Sequence, residues 1–191
     1  MTNCRTLLLG FACALLSIAG QPAPAAAVAS LDLLSRTAYG EQGNAASSQP
    51  AISADGRFVA FTSDASNLVE GDAGSTYWGT DPDVFILDRQ TGALENASRS
   101  LNIDGLWFLK TVCQNPALDG SGQLAAFECF SGYHFAHKMQ FDIYLYDRQT
   151  GAMGIVTQGL GGRKANGASA GPALSADGRF VAFTSDASNL V

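Results

Sequence analysis

Short apolar runs separated by turn residues set the pattern of this chain. Phe58-Val-Ala-Phe-Thr62, Val84-Phe-Ile-Leu87, Ile143-Tyr-Leu-Tyr146 and Phe180-Val-Ala-Phe-Thr184 lie between Asp, Gly and Ser punctuation, which is the signature of short strands. Within these runs apolar residues occupy both odd and even positions. A sheet with one wet face would alternate, so the pattern predicts sheets covered on both faces.

Internal repetition organises the strands. Pro50 to Val69 returns as Pro172 to Val191 with 19 of 20 positions identical, Ile52 becoming Leu174, and a diverged copy begins at Pro116. The repeat starts are 66 and then 56 residues apart. A second motif follows the first: Asp83-Val-Phe-Ile-Leu-Asp-Arg-Gln-Thr-Gly92 recurs as Asp142-Ile-Tyr-Leu-Tyr-Asp-Arg-Gln-Thr-Gly151. Ala-Asp-Gly at 54 to 56 and 176 to 178 turns a short strand beginning at Pro50 or Pro172 into the apolar strand after it. Asp-Arg-Gln-Thr-Gly turns the third strand into a fourth, around Ala93 to Ser98 and Ala152 to Thr157. Each unit is thus expected to hold four antiparallel strands. Radial stacking of such units covers both faces of each sheet, which is the environment of a β-propeller blade. Proline at the start of the first strand fits an innermost strand that pairs on one side only. Asp119-Gly-Ser-Gly122 departs from the turn motif and weakens the turn signal in the middle copy.

The string Pro-x-x-Ser-x-Asp-Gly-x-x-x-Ala-Phe, followed by Asp-[Val/Ile]-[Phe/Tyr]-x-x-Asp-x-x-Thr-Gly, resembles the TolB-like, WD-like β-propeller repeat of exported bacterial proteins. The resemblance covers residues 43 to 191 and implies an all-β fold, a partial propeller of two complete blades and one half. It does not imply one activity, because propellers host unrelated functions. Leu31 to Thr37 resembles a fourth strand with no blade before it, so residues 30 to 42 are expected to form an orphan outer strand and linker. In propellers of this kind such a strand commonly completes the last blade. The third copy ends before its third and fourth strands, which reads as a fragment of a longer propeller or as a chain whose copies share blades. The outward faces of the first and last units are then expected to expose Phe58, Phe61, Phe180 and Phe183 or their alternating partners, favouring self-association through open edges.

Composition narrows the class. The 191 residues are 47% hydrophobic and 15% charged with 21 glycines, a globular, turn-rich balance. A net charge of −6 disfavours a nucleic-acid-binding role, since phosphate contacts need a basic face, and no nucleic-acid partner is expected. Arg5, the apolar run Leu7 to Gly20 and the Ala-rich end to Ala29 read as a signal peptide over residues 1 to 29, cleaved after Ala27 or Ala29. The run is too short for a membrane-spanning helix, so the expectation is a periplasmic or secreted protein with no stable anchor. Neither Cys4 nor Cys13 is placed for lipidation.

Export permits Cys113 and Cys129 to oxidise. A hairpin centred on Ser121 puts each cysteine eight residues from the turn, as cross-strand neighbours. The aligned pairs in the other copies are Ser47 with Ser63 and Ser169 with Ser185. A disulfide is therefore expected, with two small buried thiols as the alternative.

Other candidate chemistry is sparse. Gly167-Ala-Ser-Ala-Gly171 matches a nucleophile elbow, but Pro172 and a strand follow Ser169 in place of a helix and no His lies downstream. His134 and His137 share a loop without a third ligand or an adjacent Glu, so they read as exposed loop residues. Glu70, Asp72, Asp81 and Asp83 gather hard oxygen ligands in a glycine-rich loop that would suit Ca²⁺, although their spacing is not that of an EF-hand and a solvated acidic loop is favoured. Asp83 also has a structural reading, since Asp142 repeats it. Tyr77 and Trp78 at the loop tip are either contact residues or packing over the blade edge. These residues assign no metal and no cofactor. The sequence therefore reads as a non-enzymatic exported module that binds a protein or another macromolecule. The alternatives are the propeller portion of an exported serine peptidase or a gene remnant.

Overall fold

A computed structural model describes residues 14–17, 30–71, 82–99, 109–133 and 140–191. The chain is all-β. An N-terminal ribbon pairs β1 (Ala14–Ser17) with β2 (Ser30–Leu33). Two four-stranded antiparallel sheets follow: β3 (Ser47–Ile52), β4 (Phe58–Ser63), β5 (Asp83–Asp88) and β6 (Leu94–Asn96), then β7 (Leu109–Leu118), β8 (Leu124–Tyr133), β9 (Asp142–Asp147) and β10 (Ala152–Ile155). In each, the strands pair in sequence order. A short ribbon of β11 (Gln158–Gly159) and β12 (Arg163–Lys164) leads to a third unit, the hairpin of β13 (Ser169–Leu174) and β14 (Val181–Ser185).

The first strand of each unit packs across the face of the unit before it: β7 lies against β3, β4 and β5, and β13 against β7, β8 and β9. This is blade stacking, and the molecule is a partial β-propeller of two complete blades and one half. The core between the first two blades joins Ala60, Val84, Ile86 and Ala97 to Cys113, Ala125, Phe127 and Cys129, all buried. Apolar residues on both alternating faces of the central strands follow from this sandwiching.

Four features differ from the sequence expectation. Pro50, Pro116 and Pro172 do not begin their strands; each sits at a β-bulge inside one, where the pairing register shifts. The residue before each proline, Gln49, Asn115 or Gly171, adopts a left-handed backbone with φ of 52°, 53° and 64°. The middle turn is intact despite its divergent letters, because Asp and Ser have exchanged places. In the first unit Ser53 Oγ donates to Asp55 at 2.6 Å and accepts from the Phe58 amide; in the second, Ser121 Oγ donates to Asp119 at 2.6 Å and Asp119 accepts from the Leu124 amide. Phe61 is fully buried, stacked at 5.7 Å on Phe85 beside Ala65 and Leu68, so it is not exposed on the outward face, and Phe58 is half-buried on the opposite face, against Gly122 of the second blade. Finally, Ser30–Leu33 is paired, and its partner Ala14–Ser17 lies inside the segment read as a signal peptide. The rest of that segment falls outside the described residues.

Candidate functional site

The contacts that join successive units recur in register. The Ala54 amide donates to Gly120 O at 3.0 Å, and the Gly120 amide to Ala176 O at 2.9 Å, linking three equivalent turns. The Cys113 amide donates to Pro82 O and the Ser169 amide to Phe141 O, both at 2.8 Å. At the bulges, the Asn115 amide donates to Gln49 Oε1 at 3.1 Å and the Gly171 amide to Glu128 Oε1 at 2.7 Å. Glu128 is buried and also accepts from Gln114 Nε2 and Asn115 Nδ2, at 3.0 and 2.9 Å. These bonds satisfy a carboxylate that would otherwise be costly to bury. The clasp was invisible in the sequence because its acceptor changes from Gln49 to Glu128 between copies.

Side chains repeat the same logic. Gly122 lies over Phe58, and a Cβ there would come within 2.7 Å of Phe58 Cβ and Cγ. Gly178 of the third unit lies over Leu124, the counterpart of Phe58, where a Cβ would meet Leu124 Cδ1 at 2.9 Å. The Arg57 and Arg148 guanidinium groups flank the Phe58 ring at 4.7 and 4.1 Å from its centroid, a favourable cation–π arrangement. Arg148 also pairs with Glu95. A shallow depression of about 400 Å³ lined by Phe58, Ser121, Gln123, Arg148 and Gln149 opens beside them.

In the third unit the same residues face solvent. Phe180, the counterpart of Phe58, is 63% exposed. Ala182 and Thr184 are exposed where Ala60 and Thr62 are buried. β14 pairs with β13 and with no other described strand, whereas β4 and β8 are paired on both sides. Arg179 has a 74% exposed side chain and lies 3.9 Å from Asp177, which also accepts from Ser175 Oγ. Its counterpart Arg57 makes a two-pronged bond to Asp88 at the end of β5, Nε to Oδ1 at 3.0 Å and Nη2 to Oδ2 at 2.7 Å. That guanidinium holds the Asp88 carboxyl well below the usual carboxylate range. In the second blade Gln123 reaches Asp147 in the same way at 3.3 Å. Sequence reading overlooked this pairing, although Asp88 and Asp147 recur at one position of the second motif. Arg179 and Phe180, beside the edge of β14 that no described strand pairs, form the candidate site.

The candidate residues named from the sequence fall elsewhere. Cys113 and Cys129 stand directly opposite each other on β7 and β8, their sulfurs bonded at 2.02 Å. Ser169 is buried and donates to Ser185 Oγ at 2.9 Å, matching Ser47 with Ser63, so the elbow residue is one half of a cross-strand pair. Asp83 accepts from Ser98 Oγ at 2.5 Å, and Asp142 from Thr157 Oγ1 at 3.1 Å. In each case the hydroxyl also accepts from the amide that follows the aspartate. Burial pushes the Asp142 carboxyl up, against the pull of Lys164 at 3.8 Å. Asp72, Tyr77, Trp78, Asp81, His134 and His137 lie outside the described residues, and Glu70 and Asp83 are the described ends of the acidic loop. Among the described residues no group of His, Cys, Asp and Glu is placed to hold a metal ion, and no helix is long and apolar enough to cross a membrane.

No protein-family model matches the chain, and no curated protein matches it. Among solved structures it is similar to a chain from a structural and mechanistic study of two prolyl endopeptidases and the role of inter-domain dynamics in their catalysis and specificity. The sequence identity is 14%, the TM-score 0.47, and the match covers 83% of this chain. This chain spans 21% of the length of that one.

Proposed function

We propose that the chain is a non-enzymatic, exported β-propeller module of the TolB-like kind that binds another polypeptide. The observation that carries this reading is the third unit's surface. Among the described residues Phe180 is 63% exposed and β14 pairs with β13 alone, in a segment whose near-identical copy in the first blade is covered by β5 and by the second blade. Open strand edges with apolar side chains are adhesive surfaces, and beside them the exposed Arg179 adds a charge for orientation. The signal-like N-terminus supports export, which would remove β1 and leave β2 without that partner.

The test is to recover the exported protein from cells under gentle conditions and compare its size with that of the purified chain. The native form should run larger than the purified chain and begin at Val28 or Ser30, and Phe180→Glu should return it to the size of the chain alone. A native form that already runs at that size refutes the reading.

A further inference from the structure

The turn that leads into the first unit and the turn that leads into the third have one design and different contents. Asn67 Nδ2 donates to Gln42 O at 3.1 Å in the first, and Asn189 Nδ2 to Lys164 O at 3.0 Å in the third. Two residues on, Asn44 and Asn166 bond Ser66 and Ser188, so the two turns align residue by residue. Glu41-Gln42 of one is therefore Arg163-Lys164 of the other. The first turn is locked: the Thr37 amide donates to Glu41 O at 2.7 Å, and the Thr37 hydroxyl accepts from the amides of Tyr39 and Glu41, both at 3.2 Å. In the third turn Gly159 stands in the place of Thr37 and supplies no hydroxyl. That turn is closed by two residue pairs, Gln158 with Lys164 and Gly159 with Arg163. Leu160 to Lys164 are all exposed. Gly161 and Gly162 at its tip take left-handed backbones, with φ of 72° and 74°, and have open space around them.

We propose that the Arg163–Lys164 peptide bond is a processing site for an endopeptidase specific for basic residues, cut in the folded protein and leaving the two pieces together. The inference is independent of the interaction reading above. Endopeptidases of this class draw a basic side chain into a specificity pocket. The Arg163 backbone is already extended, with φ of −75° and ψ of 155°. Among the described residues its guanidinium makes no hydrogen bond or ion pair, whereas Arg57 and Arg148 are held by Asp88 and Glu95. The Lys164 side chain is 64% exposed, with Nζ 3.8 Å from Asp142 Oδ2. Opening the segment breaks the two-pair ribbon, the bonds of Asn189 to the Leu160 amide and Lys164 O, and the bond of Gln140 Nε2 to Ala165 O. So few contacts place it at the low end of local stability, where exposed loop tips are nicked. Hydrolysis adds water across the amide and leaves a carboxylate on Arg163 and an amine on Lys164. The third hairpin then stays attached through bonds that the cut does not touch: the Ser169 amide to Phe141 O, the Gly171 amide to Glu128 and the Gly120 amide to Ala176 O.

The probe is trypsin, added in small amount to the whole folded chain, with the cuts mapped by mass spectrometry and the products sized without denaturant. Cleavage after Arg163 or Lys164 is expected, with both pieces eluting together at the size of the uncut chain, while the bond after Arg36, on the locked turn, survives. Arg163→Gln with Lys164→Gln should remove the cut and leave Tm unchanged, because glutamine already occupies the equivalent position 42. Cys113→Ser with Cys129→Ser separates local from global opening. A site reached by local opening is cut at about the same rate in that less stable variant, whereas one reached only through the unfolded chain is cut roughly 30-fold faster. No cut at Arg163 or Lys164 in the folded chain, equal cutting after Arg36, a rate that follows global stability, or separation of the pieces without denaturant overturns the inference.

Discussion

Replacing both Cys113 and Cys129 with serine imposes on the second blade the pair that the first and third units already use. Ser47 with Ser63 and Ser169 with Ser185 sit at the same cross-strand position, each bonded Oγ to Oγ at 2.9 Å. The cysteines are separated by 16 residues, and closing a loop of that length removes about 3 kcal/mol of chain entropy from the unfolded state. A serine pair in the same place restores one hydrogen bond, worth about 1 kcal/mol net. The double variant should therefore be about 2 kcal/mol less stable than the oxidised protein, which for a domain of this size lowers Tm by roughly 4–8 °C. Reduction without substitution loses the crosslink and gains no hydroxyl bond, so reduced wild type should melt at or below the double variant. Thermal melts of the three forms give the order, and mass spectrometry of an unreduced digest should find the peptides joined through Cys113 and Cys129. Superimposable melts for oxidised and reduced protein, with no joined peptide, would refute the reasoning.

Two further perturbations test the blade interface and its charges. Gly122→Ala places a Cβ against Phe58 on a backbone with φ of +70°, and should cost about 2–4 kcal/mol in chemical denaturation, whereas Gly92→Ala, with φ of +77° and open space around it, should cost only about 1 kcal/mol. The Asp88 carboxyl is held down chiefly by its hydrogen bonds to Arg57, so its contribution is complete above the unfolded carboxylate range near pH 4 and is lost as pH falls through the lower folded value. Acid titration of stability should accordingly be shallower in Asp88→Asn below pH 4, and equal slopes for variant and wild type would count against the pairing.

The strands were legible because each is bracketed by turn chemistry that survives in two copies, and the covered faces because a blade interior tolerates no alternation. The bulge was not read. Its signal lies in one column, Gln49, Asn115 and Gly171, each before a proline; glycine and asparagine suit a left-handed backbone, but glutamine in the first copy hides the rule. Placing Cys113 opposite Cys129 came from a turn centred on Ser121, yet the strands nearest the turn pair Leu118 with Ala125, half a residue away from that centre. The bulge shifts the register and brings the cysteines opposite one another. The middle turn was discounted because its letters differ, although the geometry asks only for one carboxylate and one hydroxyl two residues apart. Coverage of Phe61 was missed because it comes from Ala65 and Leu68, where the chain folds back after the strand. Arg179 escaped notice because its significance appears only through Arg57, and only once β5 is seen to bring Asp88 alongside.

One sequence in two environments separates what a hairpin encodes from what its neighbours supply. Local geometry is the same in the first and third units: Ser53 to Asp55 and Ser175 to Asp177 are both 2.6 Å, and the amides of Phe58 and Phe180 reach the serine hydroxyls at 2.9 and 3.0 Å. Burial is not the same, since Val59, Ala60 and Phe61 are fully covered while Ala182 is exposed and Val181 and Phe183 are only half-buried. Turn chemistry and cross-strand hydroxyls therefore build the hairpin, and apolar burial at about 25 cal/mol per Å² comes from the third strand and the next blade. A two-stranded hairpin is at best marginally stable alone, so β13 and β14 hold their shape by leaning on the second blade, through the Gly171 amide on Glu128 and Gly178 over Leu124. The side toward the second blade is thus the anchored one, and the opposite side carries Arg179 and Phe180, both exposed among the described residues.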